Sequence, residues 1–452
     1  MRAVNPASGE LIREFPEHDE REVEARLERA ETAFRSWSRF DFPERARHLA
    51  SVGDLLRDRA ADFARLMTEE MGKPIAASES EIDKCAWVCD FYAEHAAEFL
   101  ASETVATDAA KSLVRYDPLG PVLAIMPWNF PFWQFFRFAA PSLMAGNVAL
   151  LKHASNVPGS ALAIEAAFRE AGFPAGVVTT LLISSERAKR LIGHPAIHAV
   201  TLTGSDRAGM EVAAEAGRCL KKAVLELGGS DPFIVLADVD VEEAARQAAR
   251  ARTINSGQSC IAAKRFIVED DVAGHFEEEL VRAMEGLKVG DPMNRESEVG
   301  PLAREDLLDA LDDQVRRSVE AGAHLRTGGE RLAGKGWFYA PTVLTGVEPG
   351  MAAFDEETFG PVAAVIRARD AAHAVELANR SPFGLGASVW TGDAARGESL
   401  AAEIESGNVF VNGIVKSDPR LPFGGVKRSG YGRELSAVGI REFVNIKTVW
   451  IK

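Results

Sequence analysis

Cys260 is the residue of this sequence best suited to form a covalent bond with a substrate. It ends the segment Asn255-Ser-Gly-Gln-Ser-Cys260, which follows a stretch with helical periodicity. The small residues before the sulfur would let a substrate approach it closely. A cysteine is a nucleophile when it is a thiolate or has a base within reach. A lone cysteine is as often a buried structural residue, so the context alone leaves both interpretations open.

Glu226 could act as a general base. It stands between two leucines and before two glycines, in Leu225-Glu-Leu-Gly-Gly229. Apolar neighbours would desolvate the carboxylate and raise its pKa toward the range in which it accepts protons at neutral pH. The alternative is a solvated glutamate at a strand end, and the motif taken by itself favours that alternative.

An amide and an indole follow the apolar segment 122–126, in Trp128-Asn129-Phe130-Pro131. An amide at the end of a strand can donate a hydrogen bond to an oxyanion. An ordinary turn asparagine is the alternative for Asn129.

Two further segments could bind a nucleotide. Gly204 and Ser205 lie in a turn between a predicted strand and a predicted helix, where free N–H groups and the helix dipole favour a phosphate. The turn lacks the usual G-x-G-x-x-G fingerprint, so a tight turn with a serine cap is an equal alternative. Lys152 ends another predicted strand and could donate to ribose hydroxyls, or it could be a plain surface lysine.

The elements that would position these residues follow from the apolar pattern. Residues 18–104 show helical spacing, and from residue 113 short apolar runs alternate with helical stretches, first to about residue 202 and again from 223 to about 390. Such alternation predicts parallel sheets covered by helices on both faces. The tail, 448–452, is a short apolar strand without a partner nearby in the sequence, and we expect it to pair elsewhere in the fold or with another subunit.

Composition narrows the class of protein. Lys plus Arg total 52 and Asp plus Glu 67, so the net charge of −15 argues against binding to nucleic acid or to an anionic membrane. We find neither a secretory signal nor an apolar run long enough to span a bilayer. The four cysteines are irregularly spaced, which favours a reducing cytoplasm. Cys85 and Cys89 have no histidine cluster nearby, so we expect no metal.

Taken together and in this order, seven segments resemble the aldehyde dehydrogenase superfamily over nearly the whole chain. Within the superfamily, the chain is most similar to short bacterial NAD(P)-dependent succinate-semialdehyde dehydrogenases. The seven segments are Asn5-Pro-Ala-Ser-Gly-Glu10, Pro127-Trp-Asn-Phe-Pro131, Thr203-Gly-Ser205, Glu226-Leu-Gly-Gly229, Gly257-Gln-Ser-Cys260, Glu356-Glu-Thr-Phe-Gly-Pro361 and Pro422-Phe-Gly-Gly-Val-Lys-Arg-Ser-Gly430.

The resemblance implies a mechanism for the residues already singled out. The thiolate of Cys260 attacks the aldehyde carbon, while the amide of Asn129 and the N–H of Cys260 hold the oxyanion. After hydride transfer to a nicotinamide, Glu226 activates the water that hydrolyses the thioester. By the same resemblance the cofactor is NAD or NADP, and its contacts are Trp128, Lys152, Ser155, Gly204, Ser205, Glu357 and Phe359.

The resemblance also implies an α/β fold of three domains. We expect a Rossmann-like cofactor domain from 1–107 and 128–227, an α/β catalytic domain from 228–410, and a small β oligomerisation domain from 108–127 and 411–452. A homodimer or a homotetramer is the expected assembly. The arm that many relatives carry before the Asn-Pro motif is absent, which leaves the number of subunits open.

Ser155 departs from the pattern of NAD-preferring relatives, which have an acid three positions after the lysine. An acid would repel a 2′-phosphate and a serine would not, while Lys152 and His153 could add positive charge. We therefore predict that NADP is accepted, with preference for either cofactor left open.

Arg137 stands inside an aromatic run and needs an anionic partner. In succinate-semialdehyde dehydrogenases the matching arginine faces the distal carboxylate of the substrate, whereas a structural ion pair with a protein carboxylate is the alternative. A second arginine found in some of these enzymes is Ile254 here. We expect recognition to be looser, or to be shared with Ser417 or Arg420, and we assign Phe423 to the same pocket.

Other functions remain open at this stage. Oxidation of aliphatic or aromatic aldehydes in general differs only in the preference of the pocket. A CoA-acylating semialdehyde dehydrogenase would generally lack the glutamate at position 226. A catalytically inactive nucleotide-binding scaffold has no need to keep Cys260, Glu226 and Asn129 together.

Overall fold

The computed structural model describes residues 1–452. They form an N-terminal group of four helices, two large sheets, one small three-stranded sheet and two pairs of strands, β1-β2 and β15-β18. The helices are α1 (Glu20–Trp37), α2 (Phe42–Asp58), α3 (Ala60–Met71), α4 (Ile75–Phe99), α5 (Pro131–Met144), α6 (Pro158–Glu170), α7 (Ser185–Leu191), α8 (Asp206–Arg218), α9 (Val241–Thr253), α10 (Asp270–Glu285), α11 (Glu305–Glu320), α12 (Ala352–Asp355), α13 (Ala371–Asn379), α14 (Ala394–Ala401) and α15 (Ser436–Ile440). The strands are β1 (Arg2–Val4), β2 (Leu11–Glu14), β3 (Glu103–Thr104), β4 (Lys111–Pro118), β5 (Pro121–Met126), β6 (Val148–His153), β7 (Val178–Thr180), β8 (Ala199–Thr203), β9 (Lys222–Glu226), β10 (Pro232–Val235), β11 (Arg265–Glu269), β12 (His324–Thr327), β13 (Thr342–Thr345), β14 (Val362–Ala368), β15 (Phe383–Gly384), β16 (Gly386–Trp390), β17 (Asn408–Val411), β18 (Val426–Lys427), β19 (Gly430–Tyr431) and β20 (Val444–Ile451).

The predicted helical region at the N-terminus is confirmed. Helix α1 begins where the side chain of Asp19 accepts a hydrogen bond from the backbone N–H of Glu22, and it buries a stripe of apolar residues spaced three and four apart. Helix α2 begins with a reciprocal cap, in which Asp41 and Glu44 each accept from the backbone N–H of the other. Helix α1 packs against β5, β6 and β7 of the first large sheet, whereas α2 packs against α4, α5 and α6.

The first large sheet has six strands in the order β19-β9-β8-β5-β6-β7. Its strands run parallel except for β19, which is antiparallel to β9. Strands β5, β6 and β8 are buried almost throughout because helices cover both faces, which is why they read as continuous apolar runs in the sequence.

The second large sheet has seven strands in the order β12-β13-β14-β11-β10-β16-β17, and only β12 runs antiparallel to its neighbour. Alternate residues of its strands enter two separate cores. Phe233 and Phe266 pack on one side with α9 and α10, whereas Ile234 and Ile267 pack on the other side with α13. The predicted α/β class with parallel sheets is therefore confirmed.

The C-terminal strand β20 pairs within the small three-stranded sheet, whose strand order is β20-β4-β3. Strand β20 lies antiparallel to β4 along its whole length, from Val444 opposite Pro118 to Ile451 opposite Lys111. The expected partner is thus found within the chain, and β20 remains an edge strand.

One predicted domain boundary is corrected. We assigned 108–127 to the oligomerisation segment, but β5 pairs with β6 and β8 inside the six-stranded sheet. Strand β5 is apolar and buried, so it is stable at the centre of a parallel sheet and not in a small exposed one. That boundary falls before Pro121, and the remaining division stays a prediction.

Helix α5 is an element that the sequence pattern did not predict. Its aromatic run has no helical period because every residue of the helix is buried. Proline at its first position suits a helix start. No helix in the structure combines the length and the apolar character needed to cross a membrane.

Candidate active site

The carboxyl ends of three neighbouring parallel strands open onto one cavity of about 320 Å³. Asn129 follows β5, Ser205 follows β8, and Glu226 is the last residue of β9. Cys260 reaches the same cavity from the loop before β11. The cavity thus contains all three predicted catalytic residues and five of the seven predicted cofactor residues, namely Trp128, Gly204, Ser205, Glu357 and Phe359.

The loop that carries Cys260 bends through three consecutive residues with left-handed backbone angles. Asn255, Ser256 and Gly257 have φ of 52°, 56° and 77°. Only the third is a glycine, and there a Cβ atom would lie 2.2 Å from the carbonyl oxygen of Gly360. Left-handed geometry costs an ordinary residue about 1–2 kcal/mol, so the surrounding contacts must hold this bend.

Buried Lys264 helps to stabilise this loop. Its ammonium group donates to the carbonyl oxygens of Ser259, Cys260 and Ala262 at 3.1, 2.8 and 3.2 Å. Burial lowers the pKa of Lys264, while the nearby carboxylate of Glu357 opposes this effect. The three bonds fix the backbone on either side of the sulfur.

Asn129 lies against the same loop. Its amide Nδ2 donates to the carbonyl oxygen of Gln258 at 3.1 Å, and Asn255 donates to the carbonyl oxygen of Asn129 at 2.8 Å. An amide nitrogen carries two hydrogens, so Asn129 retains a donor for a further acceptor beside the sulfur.

The thiol of Cys260 is partly exposed to the cavity, and in this state it is a weak acid. Burial raises the pKa of Cys260 to about 12, while the positive charges of Arg137 and Lys264 oppose the shift. A thiol of this kind needs a base or a further positive charge before it becomes a nucleophile.

Glu226 is buried, and neither of its carboxylate oxygens has a hydrogen-bond partner. Burial raises its pKa well above the ordinary value, while Arg137, whose guanidinium lies 4.0 Å from the carboxylate, lowers it. Glu434 adds a smaller rise through its negative charge. A carboxyl group that is desolvated and free of hydrogen bonds is suited to accept a proton near neutral pH.

The glycine pair after Glu226 makes room for Glu357. The N–H of Gly229 donates to Glu357 Oε1 at 3.0 Å, and Lys264 Nζ lies 3.4 Å from the same oxygen. A Cβ atom on Gly228 would lie 2.2 Å from Glu357 Oε2. The carboxylate is therefore fixed at the cavity wall, where it can accept hydrogen bonds from hydroxyl groups.

Two aromatic rings form another wall. Trp128 and Phe359 meet edge to face with their centroids 5.7 Å apart. Next to them, Ser205 caps α8 by accepting from the N–H of Ala208 at 3.3 Å. The serine cap that we considered as an alternative is present, and a 13-residue helix begins at the cavity, so the dipole needed for a phosphate is present as well.

Lys152 and Ser155 lie away from the catalytic cavity. Ser155 lines a second cavity of about 370 Å³ together with Arg2 and Arg304, and Arg304 lines both cavities. Buried Lys152 donates to Ser185 Oγ at 3.3 Å and has no carboxylate within ion-pair distance.

The second cavity fits a ligand with hydroxyl or phosphate oxygens. Asn156 lines it, and neither polar atom of its amide has a partner. Glu17 is the one acid in the lining. The positive charge expected from His153 is not present, because burial lowers the pKa of His153 to about 4 and its Nε2 atom contacts the carbonyl oxygen of Pro131.

Of the three predicted substrate residues, Arg137 and Phe423 contact each other and Ser417 contacts Lys84. The guanidinium of buried Arg137 pairs with Glu434 and lies 4.6 Å above the ring of Phe423. Ser417 accepts a hydrogen bond from Lys84 at 2.7 Å. Arg137 therefore has the structural ion pair that was considered as the alternative, although its NH2 group has no hydrogen-bond partner.

Arg420 takes no part in these contacts. It forms an ion pair with Asp418 at 2.7 Å, and 68% of its side chain is exposed. Arg420 can bind Asp418 through two bonds without burying its charge, so the predicted role in substrate recognition is not supported.

Sequence reasoning missed Lys84 and Lys264. Lys84 precedes Cys85 on α4 and stands one turn after Glu81, next to a stripe of buried residues. A lysine at the border of an apolar helix face was a detectable signal. Lys264 comes four residues after Cys260 and directly after two alanines. Nothing in that sequence context indicates that three carbonyl groups would converge on it.

Comparison with known proteins agrees with this geometry. The model of the aldehyde dehydrogenase family matches residues 1–449. The chain is 50% identical over 455 residues to a succinate-semialdehyde dehydrogenase (NADP+) of Mycobacterium avium, covering 100% of this chain and 96% of that protein. It is 49% identical over 448 residues to a succinate semialdehyde dehydrogenase (NAD(P)+) of Escherichia coli, covering 99% and 97%.

A solved structure extends the similarity to the fold. The crystal structure of succinic semialdehyde dehydrogenase from Streptococcus pyogenes in complex with NADP+ superposes with a TM-score of 0.97 at 37% identity, covering 100% of this chain and 99% of that one. The expected aldehyde dehydrogenase-like fold and the resemblance on which it rested are thereby confirmed. With a family match that spans almost every residue, and with a cysteine, a glutamate and an asparagine gathered at one cavity, this chain belongs to the aldehyde dehydrogenase family.

Proposed function

We propose that the chain oxidises succinate semialdehyde to succinate with NADP+, and that it also accepts NAD+. The observation that carries the proposal is the single cavity shared by the thiol of Cys260, the unbonded carboxyl group of Glu226 and the amide of Asn129. The names of relatives about 50% identical over the full length support the choice of aldehyde and cofactor.

The chemistry follows from the three side chains. The thiol of Cys260 first loses its proton to solvent, and the thiolate sulfur then forms a bond to the aldehyde carbon while the carbonyl electron pair moves to oxygen. Asn129 Nδ2 and the N–H of Cys260 donate to that oxyanion. Bound NADP+ supplies the acceptor for the hydride that leaves the same carbon. The carbonyl bond then reforms and a thioester remains on Cys260.

Glu226 completes the turnover. It takes a proton from water as the water oxygen attacks the thioester carbon, and the carbon–sulfur bond breaks to release the carboxylate. A carboxyl group with a raised pKa is matched to this task because it can both accept and return a proton near neutral pH. The presence of Glu226 favours water over CoA as the acceptor.

Acceptance of NADP+ is supported by the charges around Ser155. Arg2, Arg304 and Lys152 lie at or near the second cavity, and Lys152 has no carboxylate partner. Glu17 lines the cavity as well, and Arg2 and Arg304 are paired with Glu14 and Asp306, so Lys152 is the cation here without a carboxylate partner. A phosphate ester is stabilised by an unpaired positive charge, so we propose that the adenosine end of the cofactor lies here.

We also propose a homo-oligomer, either a dimer or a tetramer. The edge strand β20 exposes Ile446, Trp450 and Ile451, and an exposed apolar edge strand is a surface that a second chain can cover. Four unpaired cysteines support a cytoplasmic location.

A steady-state panel tests the function. The purified enzyme is given succinate semialdehyde, butanal and benzaldehyde with each cofactor, and NAD(P)H formation is followed. We expect kcat/KM to be highest for succinate semialdehyde and NADP+. Equal values for all three aldehydes would indicate a broad-specificity enzyme, stimulation by CoA would indicate an acylating one, and no product with any aldehyde would indicate an inactive scaffold.

A further inference from the structure

A large cavity of about 970 Å³ lies on the other side of the segment that carries Asn129, and its lining is cationic. Phe130 and Trp133 line it, while their neighbours Asn129 and Gln134 line the catalytic cavity. Its five basic side chains are Lys84, Arg246, Arg250, Arg282 and Arg295, against two acids, Glu81 and Glu298. Arg246, Arg282 and Arg295 are paired with Glu243, Glu279 and Glu79, which leaves Lys84 and Arg250 as the cations of this lining without a carboxylate partner. An unpaired cation in a cavity attracts an anionic ligand.

Lys84 is the deepest of these cations, and its neighbouring acids are already engaged. Glu81 accepts from the backbone N–H groups of Phe132 and Trp133 at 2.9 Å each and pairs with buried Lys73. Asp418 pairs with Arg420. Lys84 has no carboxylate within ion-pair distance and makes a single hydrogen bond, to Ser417 Oγ at 2.7 Å. Its positive charge is therefore uncompensated.

A second cation faces Lys84. The ammonium group of Lys84 lies 4.3 Å above the ring of Trp133, and Arg137 stands one turn further along the same helix. Burial, followed by the repulsion of Arg137, lowers the pKa of Lys84 to about 8. Lys84 and the hydroxyl group of Ser417 can both donate to an anion, while Arg137, which is itself paired with Glu434, adds positive charge behind them.

We propose that Lys84 binds the distal carboxylate of the aldehyde substrate, with Ser417 as a second donor and Arg137 behind them. The proposal rests on the function proposed above, because it requires an anionic aldehyde. Ile254, six residues before Cys260, is apolar and lines the same cavity. The cation for the substrate carboxylate therefore comes from Lys84 on α4 and not from the segment that carries the nucleophile.

Substitution of Lys84 tests the proposal. With NADP+ as cofactor, kcat/KM is measured for succinate semialdehyde and for butanal in wild type and in Lys84→Met. Loss of a hydrogen bond to a charged group should lower the ratio of the two values about 10- to 100-fold. Lys84→Arg should restore most of the ratio. The matched control is Lys189→Met, since Lys189 is a half-exposed lysine paired with Glu211 far from the cavity. An unchanged ratio in Lys84→Met would overturn the proposal.

A second measurement separates this proposal from the proposed function. Inhibition of butanal oxidation by succinate reports the anion site without an anionic aldehyde. If wild type fails to prefer succinate semialdehyde, the proposed function is wrong. Inhibition of butanal oxidation by succinate then tests, independently, whether Lys84 binds a carboxylate. Weaker inhibition in Lys84→Met supports the assignment of this residue, and equal inhibition in both enzymes rejects it.

Discussion

The guanidinium of Arg137 lies 4.0 Å from the carboxylate of Glu226, and both side chains are 2% exposed. The positive charge lowers the pKa of a carboxyl group that burial raises. Arg137 thus lowers the pH at which Glu226 becomes a base, in opposition to burial, whether or not it also contacts a substrate.

Replacing Arg137 should therefore move the acid limb of the kcat profile. Glu226 is active as the carboxylate, above its pKa, and removal of the opposing charge raises that pKa. We expect Arg137→Met to shift the acid limb toward higher pH with butanal as substrate. Arg137→Lys keeps the charge and should shift it less. An acid limb that stays in place in the methionine variant would contradict the influence of Arg137 on Glu226.

Glu226→Gln should separate the two halves of the reaction. The amide cannot accept a proton from water, so hydrolysis of the thioester should slow about 100- to 10,000-fold. Formation of the thioester uses Cys260, so rapid mixing should still show a burst of about one NADPH per site. Absence of a burst with normal cofactor binding would assign Glu226 to the first half of the reaction instead.

Lys264→Met should slow chemistry at the sulfur. Lys264 fixes three carbonyl groups of the nucleophile loop, and its charge lowers the pKa of Cys260. Less thiolate is then present at every pH below that pKa, so alkylation of Cys260 by iodoacetamide should slow about tenfold. Lys264→Arg keeps the charge and is the matched variant. If the methionine variant is alkylated as fast as wild type, Lys264 has no effect on the thiol.

The glycine at position 228 should be required for cofactor binding. A methyl group there would meet the carboxylate of Glu357 at 2.2 Å, and displaced Glu357 would lose the charged hydrogen bond to the cofactor that we expect it to make. We expect Gly228→Ala to raise the KM for NADP+ about tenfold or more. Gly274→Ala is the control, because nothing lies within 4 Å of a Cβ atom at that position. Equal KM values in the two variants would argue against the role of Glu357.

The preference for an anionic aldehyde should fall at alkaline pH. Lys84 is charged below its pKa of about 8, so binding of a carboxylate is full below that pH and is lost as the pH rises through it. The groups that face Lys84 are Arg137 on α5, Asp418 on the loop after β17, and Glu81 and Cys85 on its own helix. The measurement is the ratio of kcat/KM for succinate semialdehyde to kcat/KM for butanal. Titration of Cys260 affects the reaction of both aldehydes, so its effect cancels in this ratio. A ratio independent of pH between 7 and 10 would contradict the prediction.

Much of this fold was predictable from the sequence because the apolar pattern follows burial. Strand β5, Pro121–Met126, contains the apolar segment 122–126 that the sequence shows, since a strand covered on both faces is apolar throughout. Helix α9 ends at Thr253, and a short 3-10 helix, Ile254–Gly257, follows it. The left-handed backbone angles of Asn255 and Ser256 could not be predicted from the hydrophobic pattern, because tertiary contacts stabilise them.

The candidate site was predictable where motifs carry the residues. Cys260, Glu226 and Asn129 were found by type and context, and the structure places them at one cavity. The partners of those residues were not predictable. Glu434 is 297 residues away from Arg137, and Ser417 is 333 residues away from Lys84. Pairs so distant in sequence are joined by topology and not by local pattern.

Helix α4 has a consequence for the length of the substrate. Glu81 anchors the N-terminus of α5, directly after the segment that holds Asn129, and Lys84 stands one turn further on the same helix. A 25-residue helix is rigid over one turn, so the gap between the oxyanion donor and the ammonium group is constant. We therefore expect the enzyme to select substrates by their length. A semialdehyde one carbon shorter or longer than succinate semialdehyde would contact either the oxyanion donor or the ammonium group of Lys84, but not both.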